Sequence, residues 1–168
     1  MIESFNPTTE VCLNTYKVTT AKQISKCVTK SVNAFKRFRE STLETRLIYL
    51  NQLVSVIESK KDHLIQCIHE ENGKTVAEAK LEVEGTIKKI LTVIDSYKDR
   101  AKRQSIEEVN AQLEVNFKPL GVMVVIGPFN FPFYLPLGQI VPALLAGNSV
   151  VFKPSELTLG VGKAIMEC

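Results

Sequence analysis

The sequence contains no apolar run long enough to cross a membrane and no start that resembles an export signal. Its longest apolar stretches are interrupted by Pro142, Gly147 and Asn148, whereas a membrane-spanning helix needs about 20 consecutive apolar residues. The first residues lack the basic segment and apolar core of a secretory signal peptide. We therefore expect a cytoplasmic protein with no membrane partner.

Cysteine is scarce, and its spacing is not that of a metal site. The four cysteines form no C-x-x-C pair: Cys12, Cys27, Cys67 and Cys168. His63 and Cys67 share a helix face, but no second pair of ligands stands elsewhere in the sequence, so we predict no metal site. A chain of this size needs no disulfides to hold a core, and we predict free thiols in a reducing compartment.

No charge of one sign dominates. The sequence has 21 Lys and Arg against 18 Asp and Glu, and the basic residues are interspersed with acidic ones. This mixture is typical of a solvated surface and excludes a nucleic-acid partner. Hydrophobic residues make up 45% of the 168 residues, which is more than a disordered chain carries and enough for one core.

The sequence changes its period near residue 104. Residues 1–104 carry apolar residues at three- and four-residue steps, which predicts a helical region that packs on the remainder. The predicted helix starts are an apolar stripe from Ala21, a capping box at Ser41, an N-cap at Asp62 and a second capping box at Thr75. Gly73 should end the third helix, because glycine tolerates the left-handed conformation.

Beyond residue 104 the pattern becomes that of strands. Residues 109–117 alternate between apolar and polar, which predicts a half-exposed strand in a bridging region over residues 105–119. In residues 120–168, an apolar run at 121–126 is typical of a strand buried on both faces. A helical pattern follows, and Pro142 inside it should kink or restart the helix. A second apolar run then stands at 149–153.

A strand, a helix and a strand with short joins predict parallel pairing. The fold class is therefore α/β, with N-terminal helices followed by the first βαβ unit of a parallel sheet. Two parallel strands leave faces and edges uncovered, so we expect this to be the opening portion of a larger α/β protein.

Polar residues follow both predicted parallel strands. Asn130 lies in an otherwise apolar loop after the first strand, and Lys153-Pro-Ser-Glu156 ends the second. Ligands bind at this carboxyl edge in open α/β sheets, although no G-x-G-x-x-G fingerprint follows either strand. The amide of Asn130 could donate to a developing oxyanion, or it could bond its own loop backbone. The residues alone leave both interpretations open.

The chain resembles the aldehyde dehydrogenase superfamily. Three motifs match that family in order and spacing: Gly127-Pro-Phe-Asn-Phe-Pro132, Pro142-Ala-Leu-Leu-Ala-Gly-Asn148 and Lys153-Pro-Ser-Glu156. Asn6-Pro-Thr-Thr-Glu10 and Glu71-Asn-Gly-Lys74 match two motifs nearer the N-terminus, so the resemblance covers essentially the whole chain. It implies a truncated aldehyde dehydrogenase fold with a Rossmann-like cofactor domain. Within the family, the segments look most like the branch that oxidises N-succinyl-L-glutamate 5-semialdehyde in arginine catabolism.

The resemblance also implies site residues and a cofactor. Asn130 matches the asparagine that stabilises the oxyanion formed when a cysteine thiolate adds to the aldehyde. Glu156 falls on the position that bonds both adenosine ribose hydroxyls, which favours NAD over NADP. The positions implied to contact the cofactor are Ile126, Gly127, Pro128, Phe129, Lys153, Ser155 and Glu156.

Two parts of the family's machinery have no counterpart in this sequence. The nucleophilic cysteine and the glutamate that serves as general base both lie beyond the matched segments, and none of the four cysteines falls on a catalytic position. We therefore expect residues 1–168 alone to be inactive, within a parent enzyme that is a homodimer or homotetramer acting on a small aldehyde. The alternative is a non-catalytic interaction module that assembles through the strand at residues 109–117.

Overall fold

The N-terminal part of the chain forms a β-hairpin followed by four helices. The computed structural model describes residues 1–101, 104–108 and 111–168. The hairpin pairs β1 (Ile2–Phe5) with β2 (Cys12–Tyr16), and the helices are α1 (Ala21–Phe38), α2 (Leu43–Ser59), α3 (Lys61–Asn72) and α4 (Val76–Arg100). These helices confirm the helical structure that the apolar periodicity before residue 104 predicts. The hairpin was not predicted, although Asn6 Oδ1 accepts two backbone N–H groups in its turn, a common asparagine device.

Two helix boundaries follow the predicted local chemistry. Thr75 caps α4 and receives the N–H of Glu78, whose carboxylate in turn accepts the Thr75 N–H at 2.9 Å. This is the reciprocal bonding of a capping box. Gly73 ends α3 at φ 77°, in the left-handed region. Both predictions are confirmed.

Two other predicted caps are wrong. Thr42 rather than Ser41 caps α2, because the Ser41 hydroxyl is used to donate to the Phe38 carbonyl at the end of α1. Only Lys60 separates α2 from α3, so Asp62 lies inside the first turn of α3 rather than before it. There its carboxylate still faces the positive end of the helix dipole.

The predicted βαβ unit is confirmed. β5 (Val122–Ile126) and β6 (Ser149–Lys153) pair in parallel, with α5 (Tyr134–Leu145) between them in sequence and α6 (Leu159–Met166) after them. The assignment of α5 is continuous through Pro142, so the helix does not restart there. The predicted burial of β5 on both faces is wrong: Val125 is buried, but Val124 is 61% exposed and Ile126 71% exposed.

A second hairpin stands between α4 and β5. β3 (Gln104–Glu108) pairs antiparallel with β4 (Ala111–Val115), and Ile106 lies opposite Leu113. Val109 and Asn110, the start of the predicted strand, lie outside the described residues. β4 is exposed along its whole length rather than half-exposed. The divisions at residues 104 and 119 stay predictions.

The core joins the helices to the βαβ unit. Residues of α2, α3 and α4 pack with residues of α5, α6 and Val125 in one apolar cluster, which includes Ile57, Ile68, Val83, Phe133, Val141 and Val161. The helices and the βαβ unit therefore share one core. The apolar stripe of α1 stays partly exposed, because Ile24, Val28 and Val32 are each 40% exposed or more. No described helix combines the length and the apolar composition needed to cross a membrane.

Candidate functional site

The two loops that carry the predicted site leave the same edge of the β5–β6 sheet. Ile126, the last residue of β5, lies opposite Lys153, the last residue of β6, and the Gly127 N–H donates to the Lys153 carbonyl at 2.8 Å. Parallel strands place their carboxyl ends at one edge, which is where open α/β sheets bind ligands. Both candidate loops therefore begin side by side at the carboxyl edge of the sheet.

Asn130 lies at the exposed part of the first loop. Its side chain makes no hydrogen bond to any residue in the described ranges, whereas the preceding carbonyl of Phe129 accepts from Asn72 Nδ2 at 2.5 Å. Within the described residues the amide is therefore not used to hold its own loop, which was one of the two interpretations open from the sequence. It is available to donate to a ligand.

Lys153 and Glu156 form an exposed ion pair in the second loop. Their Nζ and Oε2 atoms are 2.8 Å apart, and each side chain is more than half exposed. The hydrogen bond from Lys153 is the main cause that lowers the pKa of Glu156, with help from a backbone N–H and the lysine charge. Glu156 therefore stays anionic at neutral pH and retains oxygen lone pairs that can accept from hydroxyl groups.

Three other residues predicted to contact the cofactor, Gly127, Pro128 and Ser155, are more buried than Lys153 and Glu156. Gly127 is buried, and a Cβ there would lie 3.0 Å from the Phe152 ring and 3.1 Å from Pro136, so a larger residue would have to displace these neighbours by a few tenths of an ångström. Pro128 is half-buried. Ser155 is also buried, and its hydroxyl accepts from the Leu157 N–H at 3.2 Å within the turn that leads to α6. Its hydroxyl thus already serves the turn.

Two concave surfaces meet at Glu156. One is a cavity of about 320 Å³ whose lining includes Phe129, Glu156 and Thr158. The other is a cleft of about 820 Å³ whose lining includes Ile126, Lys153 and Glu156 on one side and apolar residues of α1 on the other. The structure thus brings Ile126, Phe129, Lys153 and Glu156 to these surfaces. Asn130, Gly127, Pro128 and Ser155 line neither of them.

The chemistry of the exposed residues fits the ribose of a dinucleotide. A vicinal diol offers two O–H donors and oxygen acceptors, and Glu156 supplies acceptors beside the Lys153 ammonium donor. These residues could hold an adenosine ribose.

Two of the four cysteines, Cys67 and Cys168, are not activated as nucleophiles. Burial raises the pKa of the Cys67 thiol, as do the nearby charges of Glu71 and Glu70, and burial raises the pKa of Cys168 as well. A raised pKa leaves the thiol protonated at neutral pH, which makes it a weak nucleophile. Cys12 and Cys27 are exposed, and Cys27 lines the larger cleft. In the described part of the chain no three His, Cys, Asp or Glu side chains gather as a metal site would require.

The sequence did not reveal which distant residues hold the loops. Glu82 of α4 accepts the N–H groups of Phe133 and Tyr134 at 2.9 and 3.1 Å, at the start of α5. Glu71 of α3 accepts the N–H groups of Gly160 and Val161 at 2.8 Å each, at the start of α6. A glutamate on a helix is usually solvated, so the local pattern does not predict that these two are buried. The apolar neighbours of Glu82, Leu81 and Val83, were the only local signal.

Two relatives of known name match nearly the whole chain. The N-succinylglutamate 5-semialdehyde dehydrogenases of Pseudomonas fluorescens (strain Pf0-1) and Ectopseudomonas mendocina (strain ymp) are 40% and 36% identical to it over 99% of its length. In each case the match covers 34% of the relative. The chain therefore spans about a third of the length of these relatives.

A solved structure confirms the fold class. The NADP-dependent glyceraldehyde-3-phosphate dehydrogenase of Bacillus halodurans C-125, complexed with NADP, superposes with a TM-score of 0.93 and 25% identity. The likeness covers 99% of this chain and 36% of that one. The α/β architecture is thus shared with about a third of that dehydrogenase structure. The model of the aldehyde dehydrogenase family matches residues 1–168, and the chain belongs to that family.

Proposed function

We propose that the chain supplies the cofactor edge and an oxyanion donor to an NAD-dependent oxidation of an aldehyde to a carboxylate. The substrate we propose is N-succinyl-L-glutamate 5-semialdehyde, with N-succinylglutamate as the product and arginine catabolism as the setting. The observation that carries the proposal is the exposed amide of Asn130, which bonds no described residue and lies at the same sheet edge as the Lys153–Glu156 pair. The names of the two relatives support the choice of aldehyde.

Asn130 has the chemistry of an oxyanion donor. When a nucleophile adds to an aldehyde carbonyl, negative charge gathers on the oxygen, and a positioned N–H lowers the barrier by stabilising that charge. The loop is held by the carbonyl of Phe129, and the Asn130 amide bonds none of the residues that the structure describes, which leaves it available for this donation. The proposal places the nucleophilic cysteine and its general base outside residues 1–168.

Glu156 and Lys153 would hold the adenosine ribose, and when bound the dinucleotide supplies the hydride acceptor. The anionic Glu156 carboxylate accepts from ribose hydroxyls and repels a 2′-phosphate, which favours NAD. Lys153 would otherwise attract that phosphate, but its charge is already paired at 2.8 Å. The Bacillus halodurans neighbour is an NADP enzyme, so the preference for NAD is part of the proposal and depends on Glu156.

A chimera tests the proposal. Residues 1–168 replace the matching 166 residues of the Pseudomonas fluorescens relative, and NADH formation from N-succinylglutamate 5-semialdehyde is followed. We expect turnover by the chimera. Asn130→Ala should lower kcat by about a hundredfold, the usual loss for one oxyanion donor, with the KM for NAD unchanged. Residues 1–168 alone should form no NADH.

Asn51→Ala is the matched control, because Asn51 is an exposed asparagine on α2; it should leave kcat unchanged. Equal losses of kcat and of NAD affinity in Asn130→Ala would show that the amide is structural. Oxidation of other aldehydes but not of the succinylated one would reject the substrate. NADH formed by residues 1–168 alone would overturn the expected dependence on a nucleophile from outside them.

One observation favours a second candidate function, a non-catalytic assembly module. The β3–β4 hairpin carries Ile106 and Leu113 as a cross-strand pair, each more than half exposed, and Phe117 just beyond β4 is 65% exposed. An apolar patch on a hairpin is a common contact between protein chains. The hairpin could therefore join two copies of this chain without any catalysis.

A further inference from the structure

The two helices behind the candidate loops lack caps of their own. Within the part of the chain that the structure describes, neither Phe133 before α5 nor Thr158 before α6 makes a side-chain cap hydrogen bond. The Thr158 Oγ1 atom is buried without a hydrogen-bond partner in the described residues. The first N–H groups of a helix have no intrahelical acceptor and must be satisfied from elsewhere.

Glu82 satisfies the start of α5. Its side chain is fully buried, one carboxylate oxygen accepts both Phe133 N–H and Tyr134 N–H, and the other pairs with Lys74 Nζ. The same Lys74 Nζ lies 3.8 Å from the centroid of the Phe131 ring, next to Asn130 in the loop. The carboxylate thus holds the loop at its exit and, through Lys74, at its centre.

Glu71 satisfies the start of α6 in the same way. It is 7% exposed, and its two oxygens accept separately, Oε1 from Gly160 and Oε2 from Val161, at 2.8 Å each. Ser4 Oγ of β1 donates to the same carboxylate. Among the described residues Glu71 has no ion pair, so its charge is stabilised by these donors at the positive end of a helix. The loop between Lys153 and Gly160 is thereby fixed at its exit.

Both carboxylates belong to one corner of the fold. Glu71 and Asn72 end α3, and Lys74 follows the left-handed Gly73. Glu82 lies about two turns into α4, which begins at Val76. This α3–α4 corner therefore contacts both strand-tip loops, the first through Asn72, Lys74 and Glu82 and the second through Glu71. Loops tied to one rigid corner cannot move independently of each other.

We propose that Glu71 and Glu82 are positioning residues that fix the two strand-tip loops relative to each other, each by receiving the backbone N–H groups that open the helix behind its loop. The effect of these residues on catalysis rests on the proposed function, whereas their role in fixing the loops rests on the geometry alone. Glu82 sets the place of Asn130, and Glu71 sets the place of Lys153 and Glu156. A shift of about 1 Å at a reacting group can cost about a hundredfold in rate.

The way in which each carboxylate uses its two oxygens predicts the effect of replacing that glutamate with glutamine. Glu71→Gln replaces one accepting oxygen with an NH₂ group that faces a backbone N–H, so one of the two hydrogen bonds is lost. Glu82→Gln can keep both backbone bonds on its remaining oxygen and loses only the ion pair with Lys74. The same substitution should therefore act on different partners at the two sites.

Amide hydrogen exchange on residues 1–168 tests the geometry without any catalysis. In the unmutated chain the amides of Gly160, Val161, Phe133 and Tyr134 should be protected although they open helices, and unprotected amides there would overturn the proposal. Glu71→Gln should speed exchange at Gly160 or Val161 by about tenfold, the effect of one lost hydrogen bond, with protection within α4 unchanged. Exchange at both amides identical to that of the unmutated chain would also overturn it.

Glu84→Gln is the matched control, since Glu84 lies two residues from Glu82 on α4, is 40% exposed and bonds Lys61 instead of a helix start. It should leave all four amides unchanged. If a variant loses protection at all its amides because it does not fold, the protection of the four amides in the unmutated chain still tests the proposed hydrogen bonds. A control that exposes the same amides would show that loss of any α4 charge loosens the loops, which contradicts the proposal.

Kinetics of the chimera test the catalytic meaning. Glu71→Gln, which loses one backbone bond at the start of α6, should raise the KM for NAD by about tenfold with kcat nearly kept. Glu82→Gln, which releases Lys74 from the carboxylate that holds it against Phe131 beside Asn130, should lower kcat by about tenfold with that KM nearly kept. A structural role alone would move both constants together in both variants, and that result would overturn the assignment as positioning residues. An unmutated chimera without activity would count against the proposed function, whereas the exchange results would still decide the geometry.

Discussion

At the scale of single residues, four glutamates of this chain differ mainly in what surrounds them. Glu71 and Glu82 are buried against backbone N–H groups, whereas Glu84 is half-buried, Glu156 is exposed, and both bond lysines. The sequence placed Glu156 at a strand tip because strand ends can be read from local pattern. It could not place Glu71 or Glu82, because the backbone N–H groups that they accept lie 51 to 90 positions away along the chain.

Glu156→Gln should shift the cofactor preference of the chimera toward NADP. The neutral amide no longer repels a 2′-phosphate, and Lys153, released from its pair at 2.8 Å, becomes available to it. We expect the ratio of kcat/KM for NADP to that for NAD to rise several-fold. Glu167→Gln, which removes another exposed lysine contact at 3.7 Å on α6, should leave the ratio unchanged. An unchanged ratio in Glu156→Gln would show that this carboxylate does not select the cofactor.

At the scale of elements, the helices were predictable and the burial of the strands was not. A capping box and a glycine C-cap involve residues within four positions of each other, so Thr75 and Gly73 could be placed from sequence. The apolar run of β5 predicted two buried faces, but burial depends on what packs there, and Val124 and Ile126 are exposed. The β1–β2 hairpin was missed because its strands are short and mostly exposed.

Gly73→Ala should destabilise the chain. Gly73 has φ 77°, and a Cβ there would lie 2.8 Å from Pro7 Cγ, so alanine meets both an unfavourable backbone conformation and a contact with the first hairpin. The left-handed conformation alone costs about 1–2 kcal/mol for an L-residue. We expect the free energy of unfolding in urea to fall by at least that amount.

The same substitution at Gly85 should have the opposite sign. Gly85 lies inside α4, and the nearest atom to an added Cβ is Tyr134 Cε2 at 3.8 Å, an ordinary contact. Alanine is favoured over glycine in a helix by about 1 kcal/mol, so Gly85→Ala should raise the free energy of unfolding. Equal stability of the two variants would contradict the role given to the turn at Gly73, and with it the rigidity of the α3–α4 corner.

At the scale of the whole molecule, the fold brings the two candidate loops together but leaves part of its apolar surface exposed. The paired ends of β5 and β6 bring the loop of Asn130 and the loop of Glu156 to one edge, as the strand–helix–strand pattern predicted. The chain nevertheless leaves large apolar side chains exposed on the β5–β6 sheet and on the β3–β4 hairpin, among them Ile126, Val124, Leu113 and Phe117. Such patches favour association with other protein surfaces.

The hairpin makes a specific prediction about that association. Ile106 and Leu113 are cross-strand partners and form one apolar face, 53% and 54% exposed. If this face joins two copies, light scattering coupled to size exclusion should give twice the mass of one chain, and Leu113→Lys should return a monomer because a desolvated ammonium is costly at an apolar contact. Val124→Lys is the matched control on the β5 face and should leave the dimer intact. A Leu113→Lys protein with the unmutated mass would exclude the hairpin as the contact, and loss of the dimer in Val124→Lys alone would move the contact to the open sheet.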